Sequence, residues 1–350
     1  MIRLKRTGIT SIGIDIGARY LKAVQLNGAS NNHRLEAATV VSRVDTGSEL
    51  PLHELRRFCE ILARQGFEGK KVVLGLPPEM VMIEMLELPD RLSQTSVEKI
   101  VHMEFARTRR EDPNSFEMCY WMLPTQTRSS ETSHVLATGC RHKHANAILD
   151  LFDSCGLQVK SLDVQPFAQG RVCARIFGDN TQIIGILDIG WCAARLILLH
   201  DQSIIYERTF QEAGLKSLQC RLQKRFGITE QMVERLVIDA AQNTSDDPSR
   251  RSDVNSIIAS HVDIVKRELQ VCLSYAAHRY ARWTVDGLVL VGGGASISGM
   301  ADSLSSGLNL PVQVADPSTM IEGWSAIQLQ CGISMLTTAT GLALYGKDAA

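Results

Sequence analysis

Apolar residues at Ile12, Ile14 and Ile16 alternate with Gly13 and Asp15, and this period of two predicts a strand. Gly17 marks a turn, and Tyr20 to Leu26 is a second strand. Asn27-Gly28 reads as a hairpin turn, and Glu36 to Val44 as a third extended stretch. Leu52, Leu55, Phe58, Cys59 and Leu62 then recur at helical spacing. They predict a helix over Leu52 to Gln65, with Gly66 at its C-terminal cap. Lys71 to Leu76 is a short apolar strand stopped by Pro77-Pro78.

Residues 81–157 read as a separate β-α-β-β-α module. Its strands are Val81 to Leu88, Phe116 to Leu123 and His134 to Gly139, and its helices Ser96 to Thr108 and Lys143 to Cys155. The polar tract Gln126 to Thr132 is a loop. Strands return over Gln182 to Phe210. After a polar connector at Gln242 to Ser252, a long helix is expected over Asp253 to Tyr280. Its stripe is Ile258, Val262, Val265, Leu269, Cys272 and Ala276. Leu288 to Val291 then runs into Gly292, Gly293 and Gly294, with Ser296 placed to cap a following helix.

The chain has 350 residues, 45% of them apolar and only 5% aromatic, which suits two or three compact units with aliphatic cores. Its 37 basic and 38 acidic residues leave a net charge of -1, without the basic excess of a nucleic-acid binder. No apolar run approaches the ~20 residues that span a bilayer. No apolar core follows the first six residues, so no secretory signal is expected. Nine cysteines without a CxxC pair point to buried thiols in a reducing compartment. These features predict a soluble, cytoplasmic protein.

The main chemical clue is an internal repeat. Gly13-Ile14-Asp15-Ile16-Gly17 returns half a chain later as Ile186-Leu187-Asp188-Ile189-Gly190. With Asp15 on Asp188, Lys22 falls on Arg195, Val24 on Ile197 and Leu26 on Leu199. Each copy reads as strand, acidic residue, Gly turn and strand. A Gly turn lets backbone N–H groups approach phosphate oxygens. An Asp at a strand end can hold Mg²⁺ directly or through water. The competing reading is a plain hairpin. Lys22 fits either a phosphate contact or a solvated hairpin position. The triple glycine lets a base or ribose lie against bare backbone. It is neither a P-loop nor a good dinucleotide fingerprint.

In this order and spacing, these elements resemble the actin-like ATPase superfamily, and within it the FtsA-like PilM family of type IV pilus assembly. Further resemblances are Val72 to Pro77, Glu84 to Pro89, Gly156 to Ala168, Ile205 to Arg208, Ile297 to Met300 and Ala339 to Ala343. The resemblance implies an α/β, bilobed actin-like (ribonuclease H-like) fold with an FtsA-type inserted α+β subdomain. The implied segments are a first lobe over 1–80, the insert over 81–157, and a first-lobe return over 158–185. A second lobe over 186–320 and a C-terminal return over 321–350 complete the fold. It also implies ATP with Mg²⁺ in the cleft. The nucleotide-binding positions are then Asp15, Gly17, Ala18, Lys22, Asp188, Gly190, Gly214, Gly292, Gly293 and Gly294, with Asp15 and Asp188 at the metal. The implied partner is the tail of a PilN-like inner-membrane protein, in a groove near the inserted subdomain. The groove is expected between that module and the first lobe, beside the strand face bearing Val81, Ile83 and Met85; Met82 and Leu86 are apolar on the other face, and a strand covered on both faces is the competing reading. The implied role is a cytoplasmic ring or platform held at the inner membrane through that partner.

Several residues depart from the family pattern. Ala18 replaces a Ser or Thr, Trp191-Cys192-Ala193-Ala194 replaces a Thr-bearing turn, and Leu215 replaces the second glycine after Gly214. Each lost hydroxyl removes about 1 kcal/mol of phosphate binding. Arg195 compensates if its side chain turns inward. Gln211 and Glu212 are weak candidates to orient a water, so turnover is expected to be slow or absent. An active ATPase or kinase and an FtsA-like filament former are the alternatives. The chain end carries no amphipathic helix, which speaks against self-anchoring. Cys140, His142 and His144 would share a strand face but read as a solvated turn. Arg107, Arg109 and Arg110 read as a helix end paired with Glu111 and Asp112, and Cys192 as a buried thiol.

Overall fold

The computed structural model describes residues 8–29, 32–44, 49–89, 94–124, 132–176, 182–230, 232–233, 236–237, 248–324 and 332–346. The chain divides into two compact units. One comprises Met1–Val172, Ser318–Leu329 and Thr338–Ala350, the other Cys173–Pro317 and Gln330–Thr337. The chain therefore leaves the first unit after Val172, inside the segment 158–185 expected as a first-lobe return.

The first unit is built on a six-stranded sheet. Its strands are β1 (Ile12–Ile16), β2 (Tyr20–Ala29), β3 (Asn32–Ser42), β4 (Lys71–Leu76), β8 (Gln158–Val164) and β14 (Ile321–Glu322). Their order is β14-β3-β2-β1-β4-β8, with β1 antiparallel to β2 and parallel to β4. The alternation at 12–16 sorts two faces. Ile12, Ile14 and Ile16 join Leu55, Phe58 and Leu62 of α1 (Leu52–Arg64) in one buried core. On the other face, Val73 meets Ala168 of α4 (Gln165–Cys173) and Leu342 of α8 (Thr337–Ala343). There α8 lies so close to β1 that a Cβ on Gly13 would overlap the Ala339 carbonyl. Asp15 shares that face, which brings it to α4.

The Asn27-Gly28 turn does not form. The β2–β3 ladder continues through Gly28↔His33 and Ala29↔Asn32. Residues preceding β1 pair with the far end of β2: Gly28 N–H donates to Gly8 O at 3.2 Å and Thr10 N–H to Leu26 O at 2.9 Å. That pairing extends the strand beyond its local turn signal.

The inserted module begins with β5 (Val81–Pro89), α2 (Gln94–Arg109), β6 (Phe116–Met122) and β7 (Thr132–Arg141), its sheet ordered β5-β7-β6. Met82, Leu86, Val135, Ala137 and Phe116 pack against Val101 and Phe105 of α2. The fifth element, α3 (His142–Asp153), packs elsewhere. Its Ile148 and Phe152 enter the β1–α1 core. The span expected for the insert, 81–157, thus includes a helix whose buried residues belong to the β1–α1 core. The expected loop Gln126 to Thr132 falls outside the described residues except Thr132, which begins β7.

The second unit holds β9 (Ile183–Ile189), β10 (Ala194–His200), β11 (Ser203–Phe210), β12 (Val285–Val291) and β13 (Val312–Val314), ordered β11-β10-β9-β12-β13. Its helices include α5 (Leu215–Phe226), α6 (Pro248–Arg279) and α7 (Met300–Leu308). The long helix starts at Pro248, so Pro248 to Ser252 are helical rather than part of a connector. The rest of that connector through residue 247 lies outside the described residues. Val262, Val265, Leu269, Cys272 and Ala276 are buried as expected. Ser296 caps no helix. It ends a short turn over Gly293–Ser296, and Gly299 precedes α7.

Candidate functional site

In the first unit, the β1–β2 hairpin places Asp15 opposite Lys22. Lys22 Nζ lies 2.6 Å from Asp15 Oδ2, and Gln165 Nε2 donates to Asp15 Oδ1 at 3.0 Å. Asp15 is 3% exposed, and burying a carboxylate requires such partners. Both of its oxygens are engaged within the protein, so a metal here binds through water or displaces Lys22. Gly17 N–H donates to Tyr20 O at 3.0 Å and closes the turn carrying Ala18.

That turn has a second support. Arg43 follows β3, and its side chain is 1% exposed. Its Nη1 donates to Gly17 O at 3.1 Å and its Nε to Glu54 Oε2 at 3.0 Å. Its backbone N–H donates to Arg19 O at 2.9 Å. The sequence reading missed Gln165, Arg43 and Glu54. Gln165 reaches Asp15 across 150 positions, and no local motif reports such a pairing.

In the second unit, β9 and β10 repeat the hairpin with Arg195 opposite Asp188, the register of Lys22 and Asp15. Here the cation turns to a neighbouring strand. Arg195 Nε pairs with Glu207 Oε1 of β11 at 3.2 Å. This ion pair does not supply the inward-facing cation considered from the sequence. Gly190 N–H donates to Ala193 O at 3.0 Å. The carbonyls of Gly190 and Trp191 accept from Leu215 and Lys216 N–H, at 3.0 and 2.9 Å. The first turn of α5 therefore spends two of its N-terminal donors on the hairpin turn. Gly214 has a packing role, since a Cβ there would stand 2.5 Å from the Cys192 carbonyl.

The triple glycine lies against the end of β9. Gly292 has φ +81, and a Cβ there would stand only 2.4 Å from Asp188 Oδ1. Gly294 packs its bare backbone on Ile189, while Gly293 has only Leu215 nearby at 3.4 Å. Asp188, Gly190, Gly214 and Gly292 to Gly294 thus meet within one unit. Asp15, Gly17, Ala18 and Lys22 meet within the other. Burial and the charge of Asp188 push the Cys173 thiol well above its usual range.

The insert strand β5 divides its apolar residues between two faces. Met82, Leu86 and Leu88 are buried, whereas Val81, Ile83 and Met85 are half-buried on the opposite face. β5 is an edge strand, and among the described residues only β7 pairs with it.

Other expectations change. Cys119, Cys192 and Cys220 are exposed rather than buried. The strand ends at Arg141, so His142 and His144 are helical and point to different sides. Among the described residues, no group of three or more His, Cys, Asp or Glu could hold a metal. Arg107 pairs with Glu104 at 2.6 Å and Arg109 with Glu84 at 2.8 Å, while Glu111 takes Arg141. Gln211 and Glu212 sit exposed in a short turn before Gly214. Among the described residues, no helix is long and apolar enough to cross a membrane.

Chemically, each hairpin offers a Gly turn and a strand-end carboxylate. Mg²⁺ characteristically takes one or two carboxylates plus waters and substrate phosphates, so this sparse acid set fits a phosphate-borne cation.

Comparison with solved structures gives the same fold. A chain of a PilM–PilN type IV pilus biogenesis complex superposes with TM-score 0.79 at 20% identity, covering 97% of this chain and 98% of that one. The ethanolamine utilization protein EutJ from Carboxydothermus hydrogenoformans gives 0.55 at 14% identity, covering 97% and 90%. MreB5 of Spiroplasma citri, bound to AMPPNP, gives 0.53 at 12% identity, covering 97% and 96%. The fold is the actin-like ATPase fold. Among protein families, residues 13–347 match the one described as Type IV pilus assembly protein PilM. The chain therefore belongs to the PilM family of type IV pilus assembly proteins.

Proposed function

We propose that the protein is a nucleotide-binding scaffold of the pilus assembly platform, held at the cytoplasmic face of the inner membrane by the tail of a PilN-like protein. The observation that carries this reading is the family match along residues 13–347. The structural likeness to a chain of a PilM–PilN complex supports the partner class. The edge position of β5 supports the docking mode. An extended tail adds to a free strand edge by main-chain hydrogen bonds, with side chains seated beside Val81, Ile83 and Met85.

The two repeated hairpins support ATP as the ligand. In the first unit the candidate phosphate contacts are Gly17, Ala18 and Lys22. In the second unit the candidate nucleotide contacts are Gly190 and Gly292 to Gly294, with Gly214 holding the turn at Cys192. Asp15 and Asp188 are the metal-facing acids. While Lys22 stays on Asp15, that acid would meet the metal through water and Lys22 would act on phosphate through its charge alone. Bound Mg²⁺ would supply charge neutralisation of the phosphates. The lack of a hydroxyl at Ala18 and from Trp191 to Ala194 favours slow or absent turnover.

Liposome recruitment tests this reading. Vesicles carrying the full-length PilN-like protein should sediment the purified chain, and protein-free vesicles of the same lipid should not. Equal sedimentation with both would defeat the adaptor reading.

A further inference from the structure

Arg43 and Glu54 form an ion pair with side chains only 1% and 3% exposed. Stability alone gives little reason for such a pair. Desolvating two charges costs about as much as their attraction returns, and apolar replacements are often as stable. What this pair holds in place is more informative. The guanidinium gives Nε to Glu54, Nη1 to Gly17 O and Nη2 to Glu49 O, the last at 2.5 Å. Glu54 Oε1 accepts the Val44 N–H, closing the cluster from the side of α1. One buried cation thus ties the β1–β2 turn to the end of β3 and the start of α1.

The consequence for the turn follows from peptide geometry. The described backbone has no cis peptide bonds. In a trans peptide the C=O and the next N–H point in opposite directions. Holding the Gly17 carbonyl on Arg43 therefore aims the Ala18 N–H away from the guanidinium. Arg19 O is held on the same residue's backbone N–H. At Ala18 no hydroxyl is present, so the backbone N–H is the donor that position can offer an anion. A donor of this kind acts only when its supporting shell fixes its direction.

We propose that Arg43 is a positioning residue for nucleotide phosphate. Held by Glu54, it fixes the 17–19 turn so that the Ala18 N–H is presented to a phosphate oxygen. This rests on the nucleotide-binding reading above and adds to it a residue that never touches the ligand.

The test uses the full chain and two ligands, Mg²⁺-ATP and adenosine. Arg43→Lys keeps the charge beside Glu54 but cannot reproduce the fork that holds Gly17 O. The double variant Arg43→Met/Glu54→Leu removes both charges together and serves where the single variant fails to fold. Thermal melts establish that the variants are folded. Titration calorimetry should then show Mg²⁺-ATP binding weakened about tenfold, the worth of one well-aligned hydrogen bond to an anion, with adenosine affinity unchanged. A merely structural role would leave both affinities unchanged or lower them together, and either result overturns the proposal while the nucleotide reading stands. Wild type that binds no Mg²⁺-ATP overturns both.

Discussion

Lys22 Nζ lies 2.6 Å from Asp15 Oδ2, across the hairpin whose turn carries Gly17 and Ala18. The two side chains are 15% and 4% exposed, so the pair is screened by little water. Before any ligand arrives, the lysine is already committed to the aspartate. It must leave that aspartate to reach a phosphate, or act on it only through the field of the pair.

Removing Lys22 should therefore cost stability. Lys22→Met leaves Asp15 charged and buried with Gln165 as its remaining side-chain donor. Breaking a buried pair from one side is costly, and this one should lower unfolding free energy by about 2–4 kcal/mol in urea titration. Adding Asp15→Asn should recover much of that loss, because the uncompensated charge goes with it. Additive losses in the double variant would show that the pair is not coupled.

The three consecutive glycines should differ sharply in tolerance. Gly292→Ala meets both a backbone at φ +81 and the Asp188 carboxylate, and should destabilise the second unit by about 2 kcal/mol or more. Gly293→Ala meets only Leu215 at 3.4 Å and should shift stability by less than about 1 kcal/mol. Thermal melts of the two variants decide this. Equal losses would refute the packing described for the β9 end.

His261 gives the fold a defined acid weakness. It is fully buried on α6, where its Nδ1 accepts from Arg221 Nη2 at 2.6 Å. Burial and then the Arg221 charge lower its pKa from 6.5 to about 4. Above pH 6.5 the ring is neutral folded or unfolded, and its contribution is complete. As pH falls toward 4, the unfolded chain takes up a proton that the folded chain does not, so stability drops. Denaturant melts should lose on the order of 1 kcal/mol between pH 6 and 5 from this group. His261→Gln should flatten that part of the curve, and parallel curves for the two proteins would show that His261 is not the cause.

Much of this was legible locally. The alternation of Ile12, Ile14 and Ile16 reported β1, and the stripe from Leu52 to Leu62 reported α1. The repeated Asp-Ile-Gly reported two hairpins of equal register. Period and turn chemistry act between near neighbours, so such features are written in short windows. What was not legible depends on distant segments. Asn27-Gly28 looked like a turn because the pairing of Gly8 with Gly28 lies outside any local window. α3 followed the insert in sequence yet packed its Ile148 and Phe152 on the β1–α1 core. Gln165 and Arg43 carry no motif. Their roles exist only once α4 and the end of β3 are brought to the β1–β2 hairpin.

The adaptor claim is tested most directly by calorimetric titration of a synthetic PilN-like cytoplasmic tail into the purified chain, wild type beside Ile83→Lys. Ile83 is half-buried on the edge strand, so a charge there would spoil a seated strand without opening the α2 core. The account predicts saturable one-to-one binding by the wild type, weakened about tenfold or more by the substitution. Failure of the folded wild-type chain to bind the tail would contradict it, as would equal binding by both proteins.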